Sequence, residues 1–293
     1  MKTTLRRLLF ASQRIASPLS RSPATFLSRV SLALCMASFG ATLAVTHAYA
    51  ADDGEDTARL LSFGGMCVNC DLAGRKLPEA KFIGANFAGA SMVGADLHGA
   101  AFFGSNFNGA DLAKADLQGA TLFGSDFTNT DFTEANLSGV RGHGANFMGA
   151  NLTRANLGGA NLLGSELTRV NAHDAQFVGA TLFGANLTQG HFERANFKNA
   201  NLVGANFAAA GLAGADFAGA NFAHTNIASS DLSQARGLTQ AQIDQACGGP
   251  STRLPAGLVA RTCKPGVGNV IILRSTTPIH AGAPRYIVDL YAP

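Results

Sequence analysis

Three groups of residues have types and spacings that could do chemistry. Cys67-Val68-Asn69-Cys70 is a Cys-x-x-Cys pair, and Cys247 and Cys263 stand further along the chain. Thiols so placed could exchange disulfides, hold zinc or simply be bridged. Exchange chemistry needs a βαβ setting that this sequence never shows, and a zinc site needs a second clustered pair of ligands that is missing. Bridging remains. Four cysteines allow three pairings, of which the local one, Cys67 with Cys70 and Cys247 with Cys263, is the expectation, although the sequence does not choose among them. Asp and Asn recur before an apolar residue along most of the chain, but a residue repeated at a turn position is poor support for a catalytic carboxylate. His143 beside Arg141, and His173 beside Asp174, complete the set. There is no G-x-S-x-G, H-E-x-x-H, P-loop or dinucleotide fingerprint. The sequence therefore assigns no catalytic, cofactor, metal or small-molecule site, and the expectation is a non-enzymatic protein.

The 293 residues carry 22 Lys and Arg against 19 Asp and Glu, a formal charge of +3. Residues 1–50 hold six of the cations and no acid, then an apolar run from Val30 to Val45, then Ala48-Tyr49-Ala50 ahead of an acidic stretch. This reads as a secretory signal peptide, with a retained membrane anchor or an organellar transit peptide as the alternatives. Removing it takes six of 22 cations and none of the 19 acids, so +3 becomes −3. The mature chain then loses the net positive charge that would draw a nucleic acid. Export to the periplasm or beyond also suits bridged cysteines.

The elements that position these residues have an unusual period. From Cys70 the chain divides into fives without an insertion, as in Ala85-Asn86-Phe87-Ala88-Gly89 and Ala95-Asp96-Leu97-His98-Gly99. The central residue falls at 72 and every fifth position to 232, giving 33 quintets, and it is Leu, Phe, Ile or Met in all but Gly142 and Ala172. A small residue stands two places earlier almost every time. Five matches neither the period of a strand nor that of a helix. In a helix, successive central residues would spread around the whole circumference, and the recurrent glycines would each cost roughly 0.8–1 kcal/mol.

This pattern resembles the pentapeptide-repeat family, written A-(D/N)-L-x-x. The resemblance implies an all-β fold, a right-handed quadrilateral β-helix with four quintets to a coil. The 33 quintets would make about eight coils, and at roughly 4.8 Å per coil the rod would be about 40 Å long. Its stability would come from stacking neighbouring coils. Some members of the family mimic DNA and bind topoisomerases; the mature charge and the export signal both depart from that pattern.

If residues that differ by twenty lie over one another, the outward positions form columns. One reads Ile83, Phe103, Phe123, His143, Leu163, Phe183, Val203, Ala223, with Gly84, Gly104 and onward to Gly204 at the next position. Its apolar members, Ile83, Phe103, Phe123, Leu163, Phe183 and Val203, are the expected interface, to be covered by a second copy of the chain, by the C-terminal tail, by a partner protein or by a membrane surface. Another column reads Lys114, Glu134, Arg154, Asp174, Arg194, an ionic ladder of alternating sign. Gly142 and Ala172 interrupt the core on opposite faces, leaving His143 and His173 outside and unable to share a site.

The expected organisation is a signal peptide over 1–50, a lead-in over 51–69, the solenoid over 70–238, a capping helix and Cys-bounded loop over 239–263, and a β-prone tail over 264–293. Thr239 can cap a helix over Gln240–Ala246 whose Ile243 and Ala246 close the core. Val270–Leu273 and Tyr286–Tyr291 are strand-like runs.

Overall fold

The computed structural model describes residues 61–262, together with the backbone of 272–275 and 286–289. The expected signal peptide and most of the expected lead-in and tail lie outside these residues. Parallel bridges join residues twenty apart without interruption, from Met66 with Asn86 to Asp216 with Arg236. One turn of the coil is therefore four quintets.

Most quintets make a corner by the same local device; at Ala85 and Ser105 the N–H goes instead to a serine hydroxyl of the next coil. The N–H of a small residue returns to the carbonyl of the preceding central residue, as from Ala90 to Phe87 at 3.0 Å. The residue before it lies in the left-handed region, with Gly89 at φ 64°, where glycine is least strained. Three bonds then tie the quintet to its neighbours: Asn86 N–H to the Gly65 carbonyl at 2.7 Å, Phe87 N–H to Asn106 at 2.7 Å and Gly89 N–H to Asn108 at 2.9 Å. Because so much of each quintet is spent on the corner, most of the ladder is one residue wide. Among the described residues of the coil, strands longer than a bridge form only on one face of the first coils: β1 (Leu61–Phe63), β2 (Lys81–Ile83) and β3 (Ala101–Phe103), paired in parallel in that order. The coil register is thus already present at Leu61, ahead of the expected start at Cys70.

The position before the central residue carries Asp or Asn in most quintets, for two structural reasons. Its side chain accepts from the backbone N–H two residues on, as Asp111 does from Ala113 at 3.0 Å. It also bonds its counterpart in the next coil: Asn136 donates to Asp116 at 2.9 Å and Asn151 to Asp131 at 3.2 Å. These carboxylates and amides are occupied in holding corners and rungs.

The interior is a set of side-chain ladders. Phe87, Phe107, Phe127 and Phe147 stack in turn with centroids 4.9, 4.9 and 5.1 Å apart, and Phe177, Phe197 and Phe217 continue on another face at 4.8 and 5.1 Å. Ser and Thr replace the small inward Ala where they can donate to a neighbouring coil. Ser125 reaches the Phe102 carbonyl at 3.1 Å, and Thr130 that of Phe107 at 2.7 Å. The Gly142 fault leaves no gap, since a Cβ there would lie 2.9 Å from Leu162 Cδ2. Around Ala172, the Phe192 ring leans over Gly190, where a Cβ would meet it at 2.4 Å.

Helix α1 (Gln240–Ile243) closes the C-terminal end. It is shorter than the expected 240–246, ending at a C-cap on Asp244. Thr239 accepts from the Gln242 N–H and Gln242 reaches back to the Thr239 N–H, a reciprocal cap. The Gln242 amide also donates to the carbonyls of Phe217 and Ala220, at 3.0 and 2.8 Å, standing in for a further coil. Ile243 and Ala246 are buried over the core. In the tail, β4 (Ile272–Ser275) and β5 (Tyr286–Asp289) pair antiparallel.

Phe127 is fully buried between Phe107 and Phe147. Phe127→Ala is expected to destabilise the rod by about 3–5 kcal/mol in urea unfolding, because neighbouring rungs fixed at the coil spacing cannot collapse into the gap. A loss under about 1 kcal/mol would mean that the ladder relaxes freely.

Candidate functional site

The apolar column is real in space. Ile83 pairs directly with Phe103 in the β2–β3 ladder, and the glycine N–H groups from Gly104 to Gly184 each reach the carbonyl of the next column member, as Gly104 does Phe123 at 2.9 Å. Its exposure is uneven. Ile83 and Phe103 are 39% and 37% exposed, whereas Phe123, Leu163, Phe183 and Val203 are half-buried. At the coil spacing these side chains lie against one another: Phe103 meets Phe123 edge to face at 5.9 Å, and Phe123 stacks on His143 at 4.9 Å. The open end is the N-terminal one. There, around the corner from Ile83, Met66 and Val68 add exposures of 57% and 41%. Neither was legible from a repeat counted from Cys70, although the same period runs back through them. Val178 and Val259 are the other exposed large apolar residues among those described, and both lie elsewhere.

The glycine column beside the strip has a backbone cause. Gly84, Gly104 and Gly124 sit at φ 62°, 55° and 58°, in the left-handed corner position. The ladder residues occupy the equivalent corner: Lys114, Glu134, Arg154, Asp174 and Arg194 all have φ between 58° and 60°. Each pays the usual penalty for a side chain in that region, roughly 1–2 kcal/mol. The ladder divides into a triple and a pair. Glu134 lies 3.9 Å from Lys114 and 2.9 Å from Arg154. Asp174 takes two bonds from Arg194, at 2.7 and 2.6 Å, which hold its carboxyl below the ordinary carboxylate range.

The two histidines at the faults lie apart, on opposite faces as expected, in different surroundings. His143 is wedged against Phe123, and its Nε2 is buried without a hydrogen-bond partner. Burial drives its pKa below the ordinary value of 6.5; a hydrogen bond with Asn161 opposes this, and the nearby Arg141 charge adds to it. Arg141 is turned to Thr121 Oγ1 at 3.0 Å. His173, on the ladder face, is 3.3 Å from Glu193. Two further polar pairs were not singled out from the sequence, His98 with Asp96 at 2.6 Å and Lys198 with Asp216 at 3.2 Å. The first is local to one quintet, and the second joins residues that the coil brings together.

Cys67 and Cys70 are bridged, with Cα atoms 5.2 Å apart, and both are buried at the mouth of the first coil. Cys247, stacked over Asn226, is also disulfide-bonded, while Cys263 lies outside the described residues.

The model of the family described as Pentapeptide repeats matches in eight copies, over residues 67–102, 100–139, 145–182, 175–210 and 200–236, more than half of the chain. Among solved structures, the chain is similar to HetL, a pentapeptide repeat protein involved in heterocyst differentiation regulation from Nostoc sp. strain PCC 7120, at 24% identity over 70% of this chain and 87% of that one, TM-score 0.31. QnrB1, a plasmid-mediated fluoroquinolone resistance protein, aligns at 19% identity over 67% and 93%, TM-score 0.25. A pentapeptide repeat protein of the Arabidopsis thaliana thylakoid lumen aligns at 26% over 39% and 79%, TM-score 0.20. No curated sequence matches. At such TM-scores the repeat match and the observed coil register carry the fold.

Two substitutions check the energetics. Lys114→Gly removes the left-handed strain, about 1 kcal/mol, and loses a long, exposed ion pair worth a few tenths, so the thermal midpoint is expected to rise. A fall would show that the triple is worth more than its geometry implies. For His143 the sign follows from its lowered pKa. The unfolded imidazole takes a proton near 6.5 and the folded one resists it, so this share of stability is full above that value and is lost as pH falls through the folded one. Between about pH 8 and pH 5, His143→Phe should lose less thermal stability than the parent chain; parallel curves would contradict the assignment.

Proposed function

Since the chain belongs to the pentapeptide-repeat family, we propose that it is a non-enzymatic, protein-binding scaffold of the cell envelope, exported by residues 1–50 and working through the apolar face that opens at Ile83 and Phe103. The observation that carries this reading is the cluster of exposed apolar side chains at the first coils, Ile83 and Phe103 at the end of the apolar column with Met66 and Val68 around the corner. A soluble rod that leaves such an end uncovered loses by it, and a partner surface gains.

The occupant is a second copy of the chain. A face whose features repeat at the coil spacing is matched rung for rung by another face of the same spacing, and a two-fold axis makes the contact self-complementary. The C-terminal tail, another protein and a membrane surface are the competing occupants. Among the described residues no helix is long and apolar enough to cross a membrane. The bridged cysteines at the rod's mouth support an oxidising compartment. The DNA-mimic reading is less well supported: the mature charge of −3, from 16 cations and 19 acids, is small, and the ladder face alternates in sign.

Light scattering on the mature chain, residues 51–293, is expected to give twice the monomer mass, and the double variant Ile83→Asp with Phe103→Asp to give a folded monomer by circular dichroism. A parent monomer would remove the second copy as occupant. If that monomer then aggregates on deletion after Cys263, the tail is the cover. Fractionation of cells with an antibody to the native protein places it in the envelope on this reading, and recovery in the cytoplasm refutes export.

A further inference from the structure

The apolar column from Ile83 to Ala223 holds one titratable group, His143, and it sits where a charge is hard to carry. Its ring stacks on Phe123, 4.9 Å between centroids and 16° apart in plane, and Phe123 in turn meets Phe103 edge to face at 5.9 Å. An unbroken aromatic run thus joins the imidazole to Phe103, one of the exposed residues at the open end. His143 Nε2 is buried without a hydrogen-bond partner. A neutral ring can leave that nitrogen as a bare acceptor, whereas an imidazolium presents a charged N–H there with nothing to receive it.

The surroundings give such a charge little relief. The preceding coil packs the ring with Phe123 and places Thr121 beside it, and the following coil supplies Asn161 and Leu163; none of the four is charged. On its own coil the charged neighbour is Arg141, a like charge tied to Thr121 Oγ1 at 3.0 Å. Beyond the glycine corner the next column carries Asp126 and Glu166, whose carboxylates are taken up on their own face by Thr128 and Asn146 and by Thr168 and Asn186. Burial and Arg141 both lower the readiness of His143 to take a proton, and the Asn161 hydrogen bond opposes them.

We propose that His143 is an acid-triggered release for the partner held at Ile83 and Phe103. Protonation turns the imidazole out to water, Phe123 loses its stacked neighbour, and Phe103 loses the ring that backs it. The proposal rests on the reading that a second copy covers this face. The remaining column members carry no titratable side chain, so the response belongs to one residue. Because the folded ring resists its proton, assembly holds above the ordinary imidazole value of 6.5 and is lost as pH falls through the folded one.

The test follows the full chain by light scattering from about pH 8 to about pH 5, with hydroxyl-radical labelling of Phe123 in the dissociated chain over the same range. A dimer at the upper end, a monomer at the lower and at least about twofold more labelling of Phe123 in acid are expected. His143→Phe, which keeps a ring without the charge, should stay dimeric with flat labelling. Arg141→Gln removes the like charge and should move the midpoint to higher pH. Asn161→Ala removes the bond that favours the charged form and should move it lower, a direction that a merely weakened fold would not produce. A parent that stays dimeric in acid, or a response that survives in His143→Phe, overturns the release. A parent that is monomeric throughout removes the second copy as occupant; the Phe123 labelling then decides alone, supporting the switch if it rises in acid and overturning it if flat.

Discussion

The structure depends on one constraint: each coil meets its backbone hydrogen bonds through the coil twenty residues away. A lone coil has nowhere to place the N–H groups of Asn86, Phe87 and Gly89, because their partners at Gly65, Asn106 and Asn108 belong to its neighbours. The same registry lays Phe107 on Phe127 and Asn136 on Asp116, so core, wall and corner are satisfied together. Cooperativity runs along the axis, and an end must be closed by something other than another coil. At the C-terminus that substitute is Gln242, whose side-chain amide donates to the Phe217 and Ala220 carbonyls.

Registry also turns a linear repeat into faces. A side chain's neighbours are set by a difference of twenty, so a local change is felt by the residues above and below it. The Gly142 fault is absorbed by Leu162, and the Ala172 fault lies alongside the Phe192 ring that leans over Gly190. Outside, the corner position forces a choice between glycine, which is free of strain at φ near 60°, and a side chain that bears the strain for the sake of its neighbours. On the apolar face the corner is glycine from Gly84 to Gly204; on the ladder face it is charged from Lys114 to Arg194. That difference, more than the motif itself, makes the faces chemically unlike.

Much of this was legible because a period of five with a small and a large inward residue admits few structures, and a twenty-residue coil then fixes every column. Ile83 to Val203 and Lys114 to Arg194 could be read as columns from spacing alone. Burial within a column could not, since it depends on how far Phe123 leans on His143. Met66 and Val68 were missed because the count began at Cys70, where the motif is cleanest, while backbone pairing extends to Leu61. The break between Arg154 and Asp174 was also hidden: alternating sign does not say which partner an arginine reaches, and Arg194 takes Asp174 with both arms.

A scaffold of this kind acts by presenting a rigid, patterned side, and the central claim is that the side opening at Ile83 and Phe103 is covered in the working protein. Hydroxyl-radical footprinting of the native protein, in its own assembly and after dissociation by dilution, reads this directly at Met66, Ile83 and Phe103. Strong protection of Ile83 and Phe103 in the assembly, with Val178 labelled equally in both states, is the predicted result. Equal labelling of Ile83 and Phe103 before and after dissociation would contradict the account.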